Sequence, residues 1–127
     1  MTDIEYLKPE GAIAVGPYTP GVKVGNLLFV SGQGPGRGTA GDIKEQTRTT
    51  LENVKRIVEA AGGKMSNVVK TIVFLKNMKD FGKMNRTYSK FFEENGVAGI
   101  FPARSCVEIS EFPAQGMLIE IEAIVSL

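Results

Sequence analysis

The sequence contains no histidine, and this absence excludes several kinds of active site. Histidine is the commonest general base near neutral pH and the commonest metal ligand in proteins. Nucleophilic Ser-His and Cys-His pairs are therefore excluded, and so are zinc sites built from cysteine and histidine. Any catalysis must use carboxylates, arginine, tyrosine, lysine, cysteine, other polar side chains or the backbone.

Cysteine and long apolar runs are also scarce. The single Cys106 cannot form an intrachain disulfide, so a reducing, intracellular (cytoplasmic) setting is the simplest interpretation. The longest apolar runs, such as residues 27–30 and 72–75, are too short for a transmembrane helix. Residues 1–5 are acidic and have no apolar core, so we predict no signal peptide and no membrane partner.

The charge balance shows no strong excess of either sign. The 127 residues carry 15 Lys and Arg against 14 Asp and Glu, a net charge of +1. A nucleic-acid footprint or a strongly acidic partner is therefore not expected. The hydrophobic fraction of 43% is ordinary for a globular protein, and the length predicts a single domain over residues 1–127.

Several segments have the composition of β-strands. Residues 22–30 predict a hairpin around Gly25 and Asn26, which both tolerate positive φ. Residues 68–75 form a β-branched run, and residues 101–109 and 119–125 alternate in polarity. A short first strand is also predicted around Ala12 and Ala14.

Two helices are predicted between these strands. The first begins near Asp42, where Glu45 completes a capping-box-like start, and Gly62 and Gly63 end it. The second runs from about Asp80 to Glu94 before Asn95-Gly96. Their apolar faces are Thr47, Leu51, Val54, Val58 and Ala61 in the first helix, and Phe81, Met84, Tyr88, Phe91 and Phe92 in the second.

The order β-β-α-β-α-β-β predicts an α+β fold with two helices on one face of the sheet. Residues 27–30 and 72–75 are apolar at both parities, which is typical of strands covered on both faces. Two helices cover only one face. We therefore expect the other face to be buried against further subunits.

The last two strands carry the strongest functional signal. Arg104, Cys106 and Glu108 share one parity in the first, and Glu120 and Glu122 share one parity in the second. A guanidinium and a carboxylate could thus lie near each other on rigid backbone. Such a pair can hold a small carboxylate and aim a water molecule at it, with the pKa of Glu120 raised by burial and by Glu122.

Each of these residues also has a purely structural interpretation. Arg104 could form a cross-strand salt bridge with Glu120, Glu122 or Glu108, and Glu120 could lie on a solvated strand face. Cys106 has no histidine to activate it and fits an inert, buried small side chain, whose backbone could still face a site. Tyr18, in a rigid Gly-Pro-Tyr turn, and Asn85, on the second helix, could each face either a ligand or the protein.

Residues 36–41 match the pattern G-x-G-x-x-G between a strand and a helix. The strand ends well before Gly36, and no acidic residue follows the next strand to take a ribose. A turn or a mobile lid is therefore favoured over a dinucleotide site.

These segments together resemble the RidA family, also called the YjgF/YER057c/UK114 family, along nearly the whole chain. The Pro-Ala-Arg stretch joined to the terminal Ile-Glu-Ile-Glu is the most specific part. The matching segments, in chain order, are Gly16-Pro17-Tyr18, Val30-Ser31-Gly32-Gln33, Leu51-Glu52-Asn53-Val54, Val69-Lys70-Thr71, Asp80-Phe81 with Asn85 and Tyr88, Pro102-Ala103-Arg104-Ser105 and Ile119-Glu120-Ile121-Glu122-Ala123.

The resemblance implies a chorismate-mutase-like α+β fold, a homotrimer with ligand clefts between subunits, and no cofactor or metal. It implies a 2-iminobutanoate/2-iminopropanoate deaminase, a hydrolase that converts reactive enamines and imines, including 2-aminoacrylate, to 2-oxo acids and ammonia. PLP-dependent dehydratases release these substrates. A nucleolytic or translation-inhibiting role and a non-catalytic trimer that binds 2-oxo acids are the alternatives.

The resemblance also assigns roles to individual residues. Arg104 would hold the substrate carboxylate, and Glu120 would orient and activate the attacking water. Two further side chains would line the cleft, and three positions would contact the reacting end. The cleft residues are Tyr18 and Asn85, and the contact positions are Ser31, Gly32 and the backbone of Cys106. Residues 34–41 and 95–100 depart from the usual family pattern in length, and both are expected to border the cleft.

Overall fold

The structure, a computed structural model, describes residues 3–12, 14–36 and 41–127. Short 3₁₀ turns at Met65–Asn67 and Met78–Asp80 precede one strand and one helix. In chain order the strands and α-helices of these residues are β1 (Ile4–Leu7), β2 (Gly21–Val24), β3 (Leu27–Gln33), α1 (Ile43–Ala60), β4 (Val68–Leu75), α2 (Phe81–Glu94), β5 (Ala103–Glu108) and β6 (Ile119–Ser126).

The strands form one sheet in the order β1-β2-β3-β6-β4-β5. The pairing of β4 with β5 is parallel, and the other pairings between described strands are antiparallel. A parallel pair needs a crossover connection, and α2 supplies it. The predicted α+β class, with a mixed sheet and two helices on one face, is confirmed.

The predicted first strand was wrong. Ala12 and Ala14 lie outside any strand, and Ile13 lies outside the described residues. The first strand is instead β1, whose Ile4 pairs with Val24 of β2. Because β1 is an edge strand with largely exposed side chains, it has no alternation of apolar and polar residues to reveal it.

Both helices have the predicted ends. The side chain of Asp42 accepts a hydrogen bond of 2.9 Å from the backbone N–H of Glu45, which caps α1. After α1, Gly62 takes the left-handed conformation at φ +86°, whereas Gly63 does not. Gly63 is needed for space instead, since a Cβ there would lie 2.7 Å from Leu127 Cδ2.

The hydrophobic core lies between the two helices and one face of the sheet. The odd-numbered residues of β6 are buried in it, and the even-numbered ones face the other way. On that other face the side chains of Leu27 and Phe29 are 37% and 42% exposed. One face of the sheet is therefore uncovered in a single chain. Among the described residues, no helix has the length and apolar character needed to cross a membrane.

Candidate active site

The predicted site residues divide between two cavities. The larger, of ≈ 650 Å³, is lined in part by Tyr18, Ser31, Gly32 and Glu120, and we call it the Glu120 cavity. The smaller, of ≈ 280 Å³, is lined by Asn85, Tyr88, Ser89, Phe101, Pro102 and Arg104, and we call it the Arg104 cavity. Cys106 lines neither.

The strand register explains this division. Thr71 of β4 pairs with Arg104 of β5 and, on its other side, with Ala123 of β6. Phe74 of β4 pairs with Glu120. Because paired residues point to the same face of a sheet, Arg104 lies on the helix-covered face and Glu120 on the uncovered face.

Two predictions about Arg104 were therefore wrong within one chain. The guanidinium does not lie beside the Glu120 carboxylate, and a salt bridge from Arg104 to Glu120 or Glu122 is impossible. The parity of residues within each strand was correct. The relative parity of two strands, however, depends on their pairing register, which local sequence does not determine.

A β-bulge in β3 forms the floor of the Glu120 cavity. Val30 pairs with Ala123, and pairing resumes at Gln33 with Ile121, so the ladder is interrupted at Ser31 and Gly32. A Cβ added to Gly32 would overlap the carboxylate of Glu120. Because Gly32 has no side chain, the carboxylate of Glu120 can occupy the space beside it.

Burial raises the pKa of the Glu120 carboxyl group, and the like charge of Glu122 raises it further. This direction and both causes agree with the prediction. A raised pKa brings a carboxylate closer to neutrality, where it is a more effective base.

Ser31 ties the turn that carries Tyr18 to the sheet. Its backbone N–H donates to the carbonyl of Pro20 at 2.9 Å, and its hydroxyl donates to the carbonyl of Thr19 at 2.5 Å. The Tyr18 hydroxyl accepts a hydrogen bond from the N–H of Val15 at 3.3 Å, and its side chain is 40% exposed. The turn therefore presents Tyr18 at the wall of the Glu120 cavity.

Sequence reasoning assigned no site role to Gln33, Asn53 or Arg56, which also line the Glu120 cavity. The amide of Gln33 donates to the carbonyl of Ser31 at 3.0 Å, and the amide of Asn53 donates to the carbonyl of Gly34 at 2.8 Å. Gln33 and Asn53 belong to the segments that match the family pattern. Nothing in the local sequence, however, indicated which residues would lie beside Gln33 and Asn53 in the fold.

The loops beside this cavity are fixed by the buried Gln46. Its amide donates to the carbonyls of Gly41 and Gly116, at 3.1 and 2.9 Å, and its oxygen accepts from the N–H of Leu118 at 2.8 Å. Residues 34–36 border the cavity as expected, whereas residues 95–100 line neither cavity. Of the turn or lid predicted at residues 36–41, residues 37–40 lie outside the described residues.

In the Arg104 cavity the guanidinium is held by aromatic rings. Its carbon lies 4.9 Å from the centroid of Tyr88 and 5.6 Å from that of Phe81, and its Nη1 lies 3.8 Å from Met84 Sδ. The Tyr88 hydroxyl shares a buried hydrogen bond of 2.7 Å with Thr71 Oγ1. The ring that supports Arg104 is thereby fixed to the strand beside it.

No carboxylate pairs with Arg104 among the described residues, whose one ion pair joins Arg48 to Glu94. Glu108, the remaining candidate partner, accepts a hydrogen bond of 2.7 Å from the N–H of Met78. Asn85 Oδ1 is buried without a hydrogen-bond partner in the same cavity. The guanidinium is thus available to a ligand carboxylate, and the Asn85 oxygen is available to an N–H or O–H donor of a ligand.

Cys106 packs against the core, and burial raises the pKa of its thiol, an effect that Arg104 opposes only in part. This environment agrees with the inert side chain predicted for it. Among the described residues, no three His, Cys, Asp or Glu side chains lie close enough together to hold a metal ion.

Comparison with known proteins gives the family. The sequence profile of the family described as endoribonuclease L-PSP matches residues 10–127. The 2-iminobutanoate/2-iminopropanoate deaminase of Escherichia coli K12 is 49% identical over 115 residues, which cover 87% of this chain and 88% of that protein. A RutC family protein of Pyrococcus horikoshii is 49% identical over 115 residues, which cover 87% of this chain and 86% of that protein.

Among solved structures, E. coli TdcF with bound serine superposes with a TM-score of 0.90 at 37% identity, covering 97% of this chain and 98% of that one. This solved relative therefore has the same fold, a mixed sheet with two helices on one face. The chain belongs to the endoribonuclease L-PSP family, which is the RidA/YjgF family.

Proposed function

We propose that the protein hydrolyses reactive 2-imino acids and their enamine tautomers to 2-oxo acids and ammonia. The substrates are 2-iminobutanoate and 2-aminoacrylate with its tautomer 2-iminopropanoate. One observation carries the proposal. An unpaired, oriented guanidinium and a carboxylate of raised pKa are each exposed to a cavity. The name of the Escherichia coli relative supports it.

In this proposal, the Arg104 cavity of one subunit and the Glu120 cavity of another come together between the subunits of a homotrimer with a chorismate-mutase-like fold. Arg104 of one subunit faces Glu120 of the next. The uncovered sheet face supports this assembly, because Leu27 and Phe29 expose apolar area there that a neighbour would bury. Arg104 and Glu120 lie on opposite faces of the sheet, so they can form one site only if each comes from a different copy of the chain.

In the reaction, Arg104 binds the substrate carboxylate through its planar fork. Glu120 accepts a proton from a water molecule, whose oxygen attacks the imine carbon to form a carbinolamine. Glu120 returns this proton to the nitrogen, which completes the carbinolamine, and then transfers the hydroxyl proton of the carbinolamine to the same nitrogen. The C–N bond breaks as the C=O bond forms, and ammonia leaves behind a 2-oxo acid. General acid-base catalysis of this kind contributes about 10²–10⁴-fold.

The remaining predicted residues position the substrate in this scheme. Tyr18 and Asn85 line the cleft, while Ser31, Gly32 and the backbone of Cys106 contact the reacting end. No cofactor takes part. PLP-dependent dehydratases supply the imines, and the single cysteine favours a cytoplasmic setting.

The test generates 2-iminobutanoate in place with a threonine dehydratase, in the presence of semicarbazide as a competing trap. Wild-type protein should restore formation of 2-oxobutanoate. Arg104→Ala and Glu120→Ala should abolish this effect, whereas Arg86→Ala, on the exposed face of α2, should retain it. Failure of the folded wild-type protein to compete with the trap would contradict the proposal.

The family description favours RNA cleavage as the second candidate. The net charge of +1 and the absence of histidine argue against efficient cleavage. Incubation with a labelled single-stranded RNA, comparing wild-type protein with Glu120→Ala, decides between them. A non-catalytic trimer would instead bind 2-oxobutanoate through Arg104 and turn nothing over.

A further inference from the structure

The Glu120 cavity is lined by a second arginine, Arg56, which the proposed reaction does not use. Arg56 Nη1 donates to Asn53 Oδ1 at 2.8 Å, and Asn53 in turn donates to the carbonyl of Gly34 at 2.8 Å. Gly11 passes beside the guanidinium, since a Cβ there would lie 3.7 Å from Arg56 Nε. The guanidinium is therefore held in position at the cavity wall.

The charge of Arg56 is available to a ligand. Among the described residues, Arg56 forms no ion pair, and the one ion pair present joins Arg48 to Glu94. Of the described residues that line this cavity, Arg56 is the only cation, and Glu120 is the other charged group. An arginine fork with free N–H groups is suited to a carboxylate.

The cavity has more room than a small imino acid needs. Its volume of ≈ 650 Å³ lies within the range of about 300–1,000 Å³ that is typical of pockets for drug-sized ligands. Val15, Pro113, Ala114 and Met117 add apolar surface to the lining. This surface is suited to methylene groups between two polar ends.

We propose that Arg56 forms a distal anion subsite, and that the protein also accepts 2-imino acids whose side chain ends in a second carboxylate. The inference rests on the proposed function. Arg104 of the neighbouring subunit would hold the first carboxylate, Glu120 would act at the imine carbon, and Arg56 would pair with the far carboxylate.

The experiment compares two imines of equal carbon number, 2-iminoglutarate and 2-iminopentanoate. An amino-acid oxidase forms them from glutamate and norvaline, with semicarbazide as the trap. Wild-type protein should show the higher kcat/KM for 2-iminoglutarate. Arg56→Gln should lower that value roughly fivefold, as expected for a partly exposed charge pair, and leave 2-iminopentanoate unchanged.

Two further variants sharpen the comparison. Arg56→Lys keeps the charge but not the fork and should retain part of the preference, whereas Arg86→Gln removes an exposed arginine outside both cavities and should retain all of it. A ratio of the two kcat/KM values that is unchanged in Arg56→Gln, or equal values in the wild type, overturns the subsite.

Calorimetric binding of 2-oxoglutarate and 2-oxopentanoate separates this inference from the proposed function. If 2-iminobutanoate is hydrolysed but Arg56→Gln binds both oxo acids as the wild type does, the subsite fails and the deaminase stands. If no imine is hydrolysed, the deaminase fails, and tighter binding of 2-oxoglutarate that is lost in Arg56→Gln still supports the subsite. Equal binding in that case overturns both.

Discussion

Arg104 and Glu120 lie on opposite faces of one sheet, on the two strands that flank β4. Neither can reach the ligand of the other within a chain. A site that needs both must therefore take one residue from each of two subunits, and this requirement makes the assembly testable through activity.

Mixed oligomers should recover activity from two inactive variants. Arg104→Ala and Glu120→Ala should each be inactive alone. In proposed trimers that contain both variants, about a third of the sites combine an intact Arg104 with an intact Glu120, if each cleft joins two different subunits. Steady-state rates on co-expressed, doubly tagged oligomers measure this recovery. Inactive mixed oligomers would contradict a shared site.

Gly32→Ala should lower kcat by roughly 10²-fold, because the added Cβ displaces the Glu120 carboxylate and a shift of about 1 Å can cost that much. Gly82→Ala is the matched control. A Cβ at Gly82, on α2, meets nothing within 4 Å, so that variant should keep its activity and gain about 0.4–1 kcal/mol of stability. Full activity in Gly32→Ala would disprove the role of this contact.

Glu122→Gln should move the acid limb of the kcat/KM profile to lower pH. Removing the neighbouring like charge lowers the pKa of Glu120, although burial still keeps that pKa above its ordinary value. A profile measured with one substrate on both proteins isolates the enzyme's titration from that of the imine. An acid limb at the same pH in both would show that Glu120 is not the titrating base.

The raised pKa of Glu120 also predicts a stability effect with a definite sign. Between the ordinary value of 4.5 and the higher folded value, the folded state binds more protons than the unfolded state. Stability therefore falls as pH rises through this window. Glu120→Gln should be more stable than the wild type at neutral pH and lose this advantage below the ordinary value. Urea unfolding at one fixed protein concentration measures both.

Tyr88 should act on substrate affinity through its ring and on stability through its hydroxyl. Tyr88→Phe keeps the ring beneath Arg104 but leaves the buried Thr71 hydroxyl unpaired, so we expect a loss of about 1–3 kcal/mol with KM unchanged. Tyr88→Leu should also raise KM. Phe91→Leu, at a buried ring that does not line the Arg104 cavity, should lower stability alone. A KM unchanged in Tyr88→Leu would refute the positioning role.

Much of the fold could be predicted because its signals are local. The β-branched run at Val68–Leu75, the Asp42 cap and the glycine after α1 each act within a few residues of chain. β1 was missed because its exposed side chains carry no burial pattern.

The candidate site could be predicted only in parts. The direction of the Glu120 pKa followed from expected burial and from Glu122 two residues away, and the parity of Arg104 followed from its own strand. The face on which each residue lies depends on registers between strands that are distant in sequence. Arg56 was missed for the same reason, since segments far apart in the chain bring it to the cavity.

The separation of Arg104 and Glu120 has a consequence for how the protein works when it is scarce. If the proposed cleft forms only where two chains meet, specific activity depends on protein concentration. Dilution below the dissociation constant of the assembly would then switch off hydrolysis in chains that remain folded. Synthesis level, rather than any effector molecule, would set a threshold below which reactive imines go unprocessed.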